Sequence, residues 1–292
     1  MTDASPSIAR SHVIRVVRRS GSSFTLGMKS LPKLHRQAMF AIYAFGREVD
    51  DVADEGGSPD EKLQQLQDWR EEVGRLYAGA PTRLTTQALL EPVRHFDLPQ
   101  SEFLGLIDGM EMDAREMMRG ADLKTLELYC RRVAGTVGLL SLRVFESTED
   151  EAPNFALALA EALQITNILR DLDEDAARGR LYLPAELLTR HGISPSTAPI
   201  QVMQSSQLPA VCCDLAELAR RRFLAADQAL ASCDRRKLRP ALLMMGVYQR
   251  ILDRLNATEW RPQSRKLRLS KPEKLWAAIR LGLMRPIWQP TN

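Results

Sequence analysis

Cysteine is scarce in this chain: four in 292 residues, Cys130, Cys212, Cys213 and Cys233. They form no C-x-x-C pair, and no histidine stands at zinc-ligand spacing, which argues against a structural zinc site. Reduced thiols in a cytoplasmic compartment are the simplest expectation. Long apolar runs are also missing. The nearest, Val133 to Phe145, is interrupted by Arg143 and is shorter than the ~18 residues a membrane-spanning helix needs. Met1 to Arg19 lacks the apolar core of a signal peptide. Excess charge of one sign is absent as well. A net charge of +3 does not argue for nucleic acid, and no basic stretch interleaved with aromatics offers a base-stacking surface. No nucleic-acid partner is therefore expected. Finally, there is no G-x-S-x-G, P-loop, H-E-x-x-H or G-x-G-x-x-G.

What is present is helical periodicity over almost the whole length, with no convincing alternating strand and no repeat at fixed spacing. With 45% hydrophobic and 26% charged residues, the composition is that of a globular protein with a large core. The expected fold is all-α, one domain over residues 1–292 with its core at about 15–270. Residues 8–19 are expected to form a short helix, broken by Ser20-Gly-Ser-Ser23. Pro32 opens a long helix to Asp54, and Ser58-Pro-Asp-Glu61 reads as a capping box. Further helices are expected from Pro81 to Phe96, from Pro99 to Met118, and from Asp122 as N-cap to Glu146. A central helix follows Pro153 and ends near Ala177. The region 191–209 reads as irregular, followed by helices over 210–232 and 238–255. The small residues of Val133-Ala-Gly-Thr-Val-Gly138 permit close helix packing or leave room for a ligand.

The chemistry concentrates in Gln164-Ile-Thr-Asn-Ile-Leu-Arg-Asp-Leu-Asp-Glu-Asp175. Asp171 and Asp175 are four apart and share a helix face, with Asn167 one turn earlier and Arg170 a step round. A second segment, Arg47-Glu-Val-Asp-Asp-Val-Ala-Asp54, repeats the spacing with Asp50 and Asp54. A single D-x-x-x-D is as readily a solvated face; two copies on apolar helices, each with a nearby arginine, read as two halves of one site. Four carboxylates round one cavity repel until cations sit among them. Mg²⁺ takes oxygen ligands and is often held by one or two carboxylates together with substrate phosphates. Two or three such ions would grip a diphosphate, with Arg47 and Arg170 adding charge-assisted hydrogen bonds. Loss of diphosphate from an allylic carbon leaves a cation that has to be kept dry, so the rest of the cavity should be apolar and aromatic.

These motifs resemble those of squalene and phytoene synthases, the head-to-head prenyl-transferases of the all-α isoprenoid synthase fold, across roughly residues 15–270. Tyr43-Ala-Phe-Gly-Arg-Glu-Val-Asp-Asp-Val-Ala-Asp54 is similar to the family's first Asp-rich signature. Tyr129-Cys-Arg-Arg-Val-Ala-Gly-Thr-Val-Gly138 is similar to its middle signature. Gln164 to Asp175 with Gly179-Arg-Leu-Tyr182 is similar to the second Asp-rich signature. The resemblance implies helices round a central cavity and Mg²⁺ held by Asp50, Asp54, Asn167, Asp171 and Asp175. The four aspartates and Tyr129 are the expected catalytic groups. Tyr43, Arg47, Gln164, Arg170, Arg180 and Tyr248 are expected at the substrate, as are Ser20, Ser22 and Ser23. That serine segment departs from the common His-Ser-x-Ser-Phe form and is followed by Thr25 where an aromatic is usual.

Within the family, Leu139-Leu-Ser-Leu-Arg-Val-Phe145 and Asp173 to Pro184 resemble the bacterial enzymes of hopanoid pathways that make presqualene diphosphate. The implied reaction joins two farnesyl diphosphates head to head. The alternatives are phytoene synthesis from geranylgeranyl diphosphate, full squalene synthesis, or an inactive scaffold relative. No NADPH is expected for the leading reading. Prenyl diphosphates are the expected partners, with the next enzymes of the hopanoid pathway as possible further ones. The basic run Arg261 to Lys274, followed by a tail with Trp276 and Trp288, suggests reversible docking on the cytoplasmic leaflet.

Overall fold

The computed structural model describes residues 4–20, 24–54, 56–260 and Glu273. Among them every regular element is helical, with no strand. The opening helix α1 (Ala4–Ser20) is longer than the sequence suggests. A one-and-a-half-turn helix, α2 (Phe24–Lys29), follows. The first Asp-rich segment lies on α3 (Lys33–Asp54). Pro32 stands just before α3 and accepts from the Arg36 N–H at 2.8 Å, as a cap.

On α3, Ala38, Ala41, Ile42, Phe45 and Val49 recur at helical spacing and are buried. The Phe45 ring meets Trp69 and Phe103 edge-on, with centroids 5.4 and 5.0 Å apart. This packing fixes the opposite face of α3, which carries Tyr43, Arg47, Asp50 and Asp54. The capping box forms as expected at α4 (Pro59–Tyr77), with the Glu61 N–H on Ser58 Oγ and the Ser58 N–H on Glu61 Oε2 at 2.7 Å. Next come α5 (Leu84–His95) and α6 (Gln100–Ala114). The latter stops four residues short of the expected Met118.

Asp122 is the N-cap foreseen, accepting from the Thr125 N–H at 2.7 Å. The helix it starts is not uniform. After α7 (Leu123–Cys130), residues Arg131–Gly135 form a π-helical turn before α8 (Thr136–Val144). A π-turn inserts a residue into the helical register and is found mostly at functional sites. The periodicity of the sequence carries no signal for it.

The second Asp-rich segment lies on α9 (Ala152–Ala177), which has Pro153 inside its first turn rather than before it. A short helix, α10 (Ala185–Arg190), follows, and α11 (Pro199–Met203) lies within the region expected to be irregular. The chain then forms α12 (Leu208–Leu230) and α13 (Arg239–Ala257). The central helix α9 packs most extensively on α12 and also touches α7, the π-turn, α8, α11 and α13. On the other side α3 packs on α1, α5, α6 and α8. Between these two groups lies a cavity.

No helix among the described residues is long and apolar enough to cross a membrane. The basic run, apart from Glu273, and the tryptophan tail fall outside the described residues, so the docking expectation has no structural counterpart. Glu273 pairs with Arg254 on α13.

Candidate active site

The C-terminal ends of α3 and α9 bring their polar faces to one chamber. Asp50, Asp54, Asn167, Asp171 and Asp175 all line it, together with Arg47, Gln164, Arg170 and Arg180. The two aspartate pairs therefore meet as their spacing predicts. A second, apolar chamber adjoins the first. It is walled by residues such as Phe24, Ile42, Leu106, Val137, Phe155 and Met244. Arg47, Asp50, Tyr129, Gln164 and Asn167 belong to both linings and mark the junction. Tyr43 faces the apolar side. The small residues Val133, Ala134, Val137 and Gly138 also line it, so both readings of that cluster hold.

The electrostatics of the polar chamber are those of a place short of positive charge. Burial and the charge of nearby Asp54 push Asp50 up to about 7 despite Arg47. Burial and Asp171 push Asp175 up to about 7 despite Arg180 and Arg178. Arginines compensate the rest. Arg170 grips Asp171 through two bonds of 2.8 and 2.6 Å. Arg178 reaches Asp54 at 3.1 Å and Arg180 at 2.5 Å, with a further bond from Arg180 to the Ala53 carbonyl. Arg47 bonds Asp50 at 3.1 Å and Asp51 at 2.7 Å.

The oxygen-rich donor set fits a hard divalent cation. One feature points the same way: Asn167 Oδ1 is buried and has no hydrogen-bond partner. No three acidic, histidine or cysteine side chains among the described residues form a ready-made metal cage.

Arg170 lines the polar chamber, where it is engaged by Asp171 and hydrogen-bonds Tyr248. Tyr248 is buried, bonded to Arg170 and Asn167, and stands behind the wall of the chamber. Ser20 ends α1 with its hydroxyl on the Val17 carbonyl at 2.9 Å and belongs to neither lining. Ser22 and Ser23 lie outside the described residues.

Residues that the sequence did not single out as candidates also line the polar chamber, Arg178 and Asp113 among them. Asp113, near the end of α6, lines the polar chamber and accepts from the Tyr129 and Tyr182 hydroxyls, each at 2.9 Å. Burial raises it to about 6, against the lowering effect of those two bonds. The two tyrosine rings stack with centroids 5.3 Å apart. Burial and Asp113 hold the Tyr129 hydroxyl well above the usual tyrosine range, so it stays protonated as a donor. The sequence signal was weak, because Asp108, Glu111, Asp113 and Glu116 stand close together and only the fold tells them apart. Asp108 and Glu111 bind Arg70, both at 2.6 Å, away from this chamber.

Comparison with known proteins agrees with this geometry. The family model for squalene/phytoene synthase matches residues 17–273. A presqualene diphosphate synthase of Rhodopseudomonas palustris is 43% identical over 90% of this chain and 94% of its own. A phytoene synthase of Mycobacterium tuberculosis is 32% identical over 90% and 87%. Among solved structures, a squalene synthase, HpnC, from Alicyclobacillus acidocaldarius superposes with a TM-score of 0.79. It is 26% identical over 90% of this chain and 98% of that one. A dehydrosqualene synthase in complex with a ligand gives a TM-score of 0.81 at 24% identity, covering 94% and 96%, which speaks for the fold.

Proposed function

This chain belongs to the squalene/phytoene synthase family, and on that premise we propose that it joins two farnesyl diphosphates head to head into presqualene diphosphate. The observation that carries the reading is the junction itself. A polar, cation-deficient chamber opens directly into an apolar one, which is the environment a prenyl diphosphate needs at its two ends. The presqualene diphosphate synthases among the relatives stand at 41–43% identity, and the phytoene synthases at 30–32%.

In the reaction, the C1–O bond of one farnesyl diphosphate breaks and diphosphate leaves with the electron pair. The C2=C3 double bond of the second molecule attacks that C1, and loss of a proton closes a cyclopropane. The products are presqualene diphosphate, inorganic diphosphate and a proton. When bound, Mg²⁺ supplies charge that stabilises the departing diphosphate; Asp50, Asp54, Asn167, Asp171 and Asp175 would hold it. Arg170 keeps the Asp171 carboxylate aimed. Arg47, at the junction, is placed to donate to phosphate oxygens. Phe24 and Tyr43, whose rings lie 6.2 Å apart, offer aromatic faces to an allylic cation. The apolar wall keeps water from it. Tyr129 stands at the junction with its hydroxyl fixed on Asp113.

The test is product analysis with farnesyl and geranylgeranyl diphosphates, each with and without NADPH, with Mg²⁺ or EDTA. The expected result is presqualene diphosphate from farnesyl diphosphate and Mg²⁺ alone, with NADPH giving little squalene. Squalene as the main product with NADPH, or reaction of geranylgeranyl diphosphate only, would overturn the assignment.

A further inference from the structure

A π-turn departs from the regular helical ladder, so neighbouring structure has to hold it. At Arg131–Gly135 the holding partner is α6, which runs antiparallel to it. Tyr129 bonds Asp113 at 2.9 Å, and one turn back along α6 Gly109 faces the turn. A Cβ at Gly109 would stand 2.7 Å from Val133 Cγ1 and 3.1 Å from Arg132 Cβ, so its absence lets the two helices close up. Glu102 stands seven residues before Gly109, two turns away on the same face of α6. Its buried carboxylate accepts from both Nη groups of Arg131, at 2.9 and 3.0 Å. The π-turn is therefore fastened to α6 on either side of Gly109, by Tyr129 on Asp113 and by Arg131 on Glu102.

The path of Arg131 is unusual. Helical side chains lean toward the N-terminus of their helix, and this one runs the other way. It passes over Gly135, four residues on, where a Cβ would stand 3.0 Å from Arg131 Cδ and 3.6 Å from Nη1. Gly135 has ordinary right-handed helical torsions, φ −59° and ψ −40°, so its conformation does not call for glycine. The room it leaves is the room Arg131 uses. Thr136 adds a further tie, its hydroxyl donating to the Arg132 carbonyl at 2.6 Å. Burying a charged pair costs desolvation that its attraction only partly returns, so stability alone gives little reason for it. What the fastened stretch carries is chamber wall: Tyr129 at the junction, with Val133 and Ala134 on the apolar side.

We propose that Glu102 and Arg131 are positioning residues for the reaction: their ion pair holds the π-turn in register and so keeps the Tyr129 hydroxyl on Asp113 at the junction of the two chambers. Neither side chain lines either chamber, so the pair acts through Tyr129. The inference deepens the farnesyl reading above and rests on it for the substrate.

The test is fluorine-19 NMR of protein carrying 3-fluorotyrosine, with steady-state kinetics beside it. The chain has five tyrosines, each resonance assigned by a Tyr→Phe replacement. Arg131→Met should move the Tyr129 resonance, and with it that of Tyr182, whose ring stacks on Tyr129, and should leave Tyr248 on α13 in place. Its kcat should fall at least about tenfold while KM moves less than about threefold. Arg131→Lys offers one ammonium where a guanidinium fork is used; it and Glu102→Gln should do the same to a smaller degree. In a Tyr129→Phe background Arg131→Met should cost less than about twofold, since the hydroxyl it positions is gone. Gly135→Ala crowds Arg131 off its path and should add little to Arg131→Met. Thermal melts identify the folded variants, and Arg131→Lys with Glu102→Gln carry the test if Arg131→Met does not fold. A Tyr129 resonance unmoved in folded variants, or an Arg131→Met loss as large without the Tyr129 hydroxyl as with it, overturns the inference. A wild type that makes no C30 product from farnesyl diphosphate, with the Tyr129 resonance moving as expected, overturns the farnesyl reading instead.

Discussion

Glu72 is a carboxylate wholly inside the protein and Asp50 one that lines an open chamber with 38% of its side chain exposed, and their environments shift them in opposite directions. Glu72 on α4 is wholly buried. Burial alone would raise it, but it accepts from the Thr82 and Arg83 N–H groups, the Thr82 and Thr86 hydroxyls and Arg75, at 2.5–2.9 Å. It is held at about 2. Asp50 has Arg47 against it and Asp54 beside it, and rises to about 7. The first carboxylate is satisfied by fixed donors and ties the loop before α5 to α4. The second is left wanting positive charge. Buried acids serve structure when their donors are built in, and serve chemistry when the missing charge is to arrive with a ligand.

The largest expected break in this comparison is at the site. Asp50→Ala or Asp171→Ala should lower turnover by about 10³-fold or more while the far-ultraviolet circular dichroism stays helical, and EDTA should do the same to the wild type. Full activity in either variant would detach these aspartates from the reaction. Asp113→Asn keeps the shape of its side chain but removes the charge on which Tyr129 and Tyr182 are fixed. A fall in kcat of about 10- to 100-fold, with KM moving less, is expected; steady-state kinetics on the folded variant would show whether Asp113 matters at all.

Glu72→Ala should do the converse. It strands two backbone N–H groups and Arg75, at a cost of about 3 kcal/mol read by denaturant unfolding, and leaves kcat of the folded protein near wild type. The pH dependence follows its sign. A folded value near 2, below the ordinary 4.5, gives stability that is present above pH 4.5 and is lost as pH falls toward 2. In Glu72→Ala that acid-side loss should shrink.

The same contrast marks what could be read from sequence. The aspartate spacing, their arginines and the capping box were legible because helical periodicity maps residues four apart onto one face. Asp113 was not, since its role depends on where α6 lies against Tyr129 and Tyr182. The π-turn at Arg131–Gly135 leaves no periodic trace. Nor does sequence reveal that Arg170 meets Asp171, because consecutive residues of a helix point about 100° apart and are not expected to face one another. The α8–α9 turn is tied to α3 and to the α12–α13 connection by contacts between segments up to 111 residues apart.

The central claim is that the aspartate cluster is strained without its cations and relieved by them. A carboxyl raised from 3.8 to about 7 binds more protons folded than unfolded between about pH 4 and 7, so stability falls as pH rises through that window. The deciding measurement is the melting temperature of wild type and Asp50→Asn at pH 5.5 and 8.0, each in EDTA and in Mg²⁺ with inorganic diphosphate. In EDTA at pH 8.0 the variant should melt higher than wild type, and the gap should narrow at pH 5.5. Mg²⁺ with diphosphate should raise the wild type, more at pH 8.0 than at pH 5.5, and leave the variant nearly unmoved. A variant that melts lower than wild type at pH 8.0 in EDTA, or that gains as much from Mg²⁺ and diphosphate, would contradict the account.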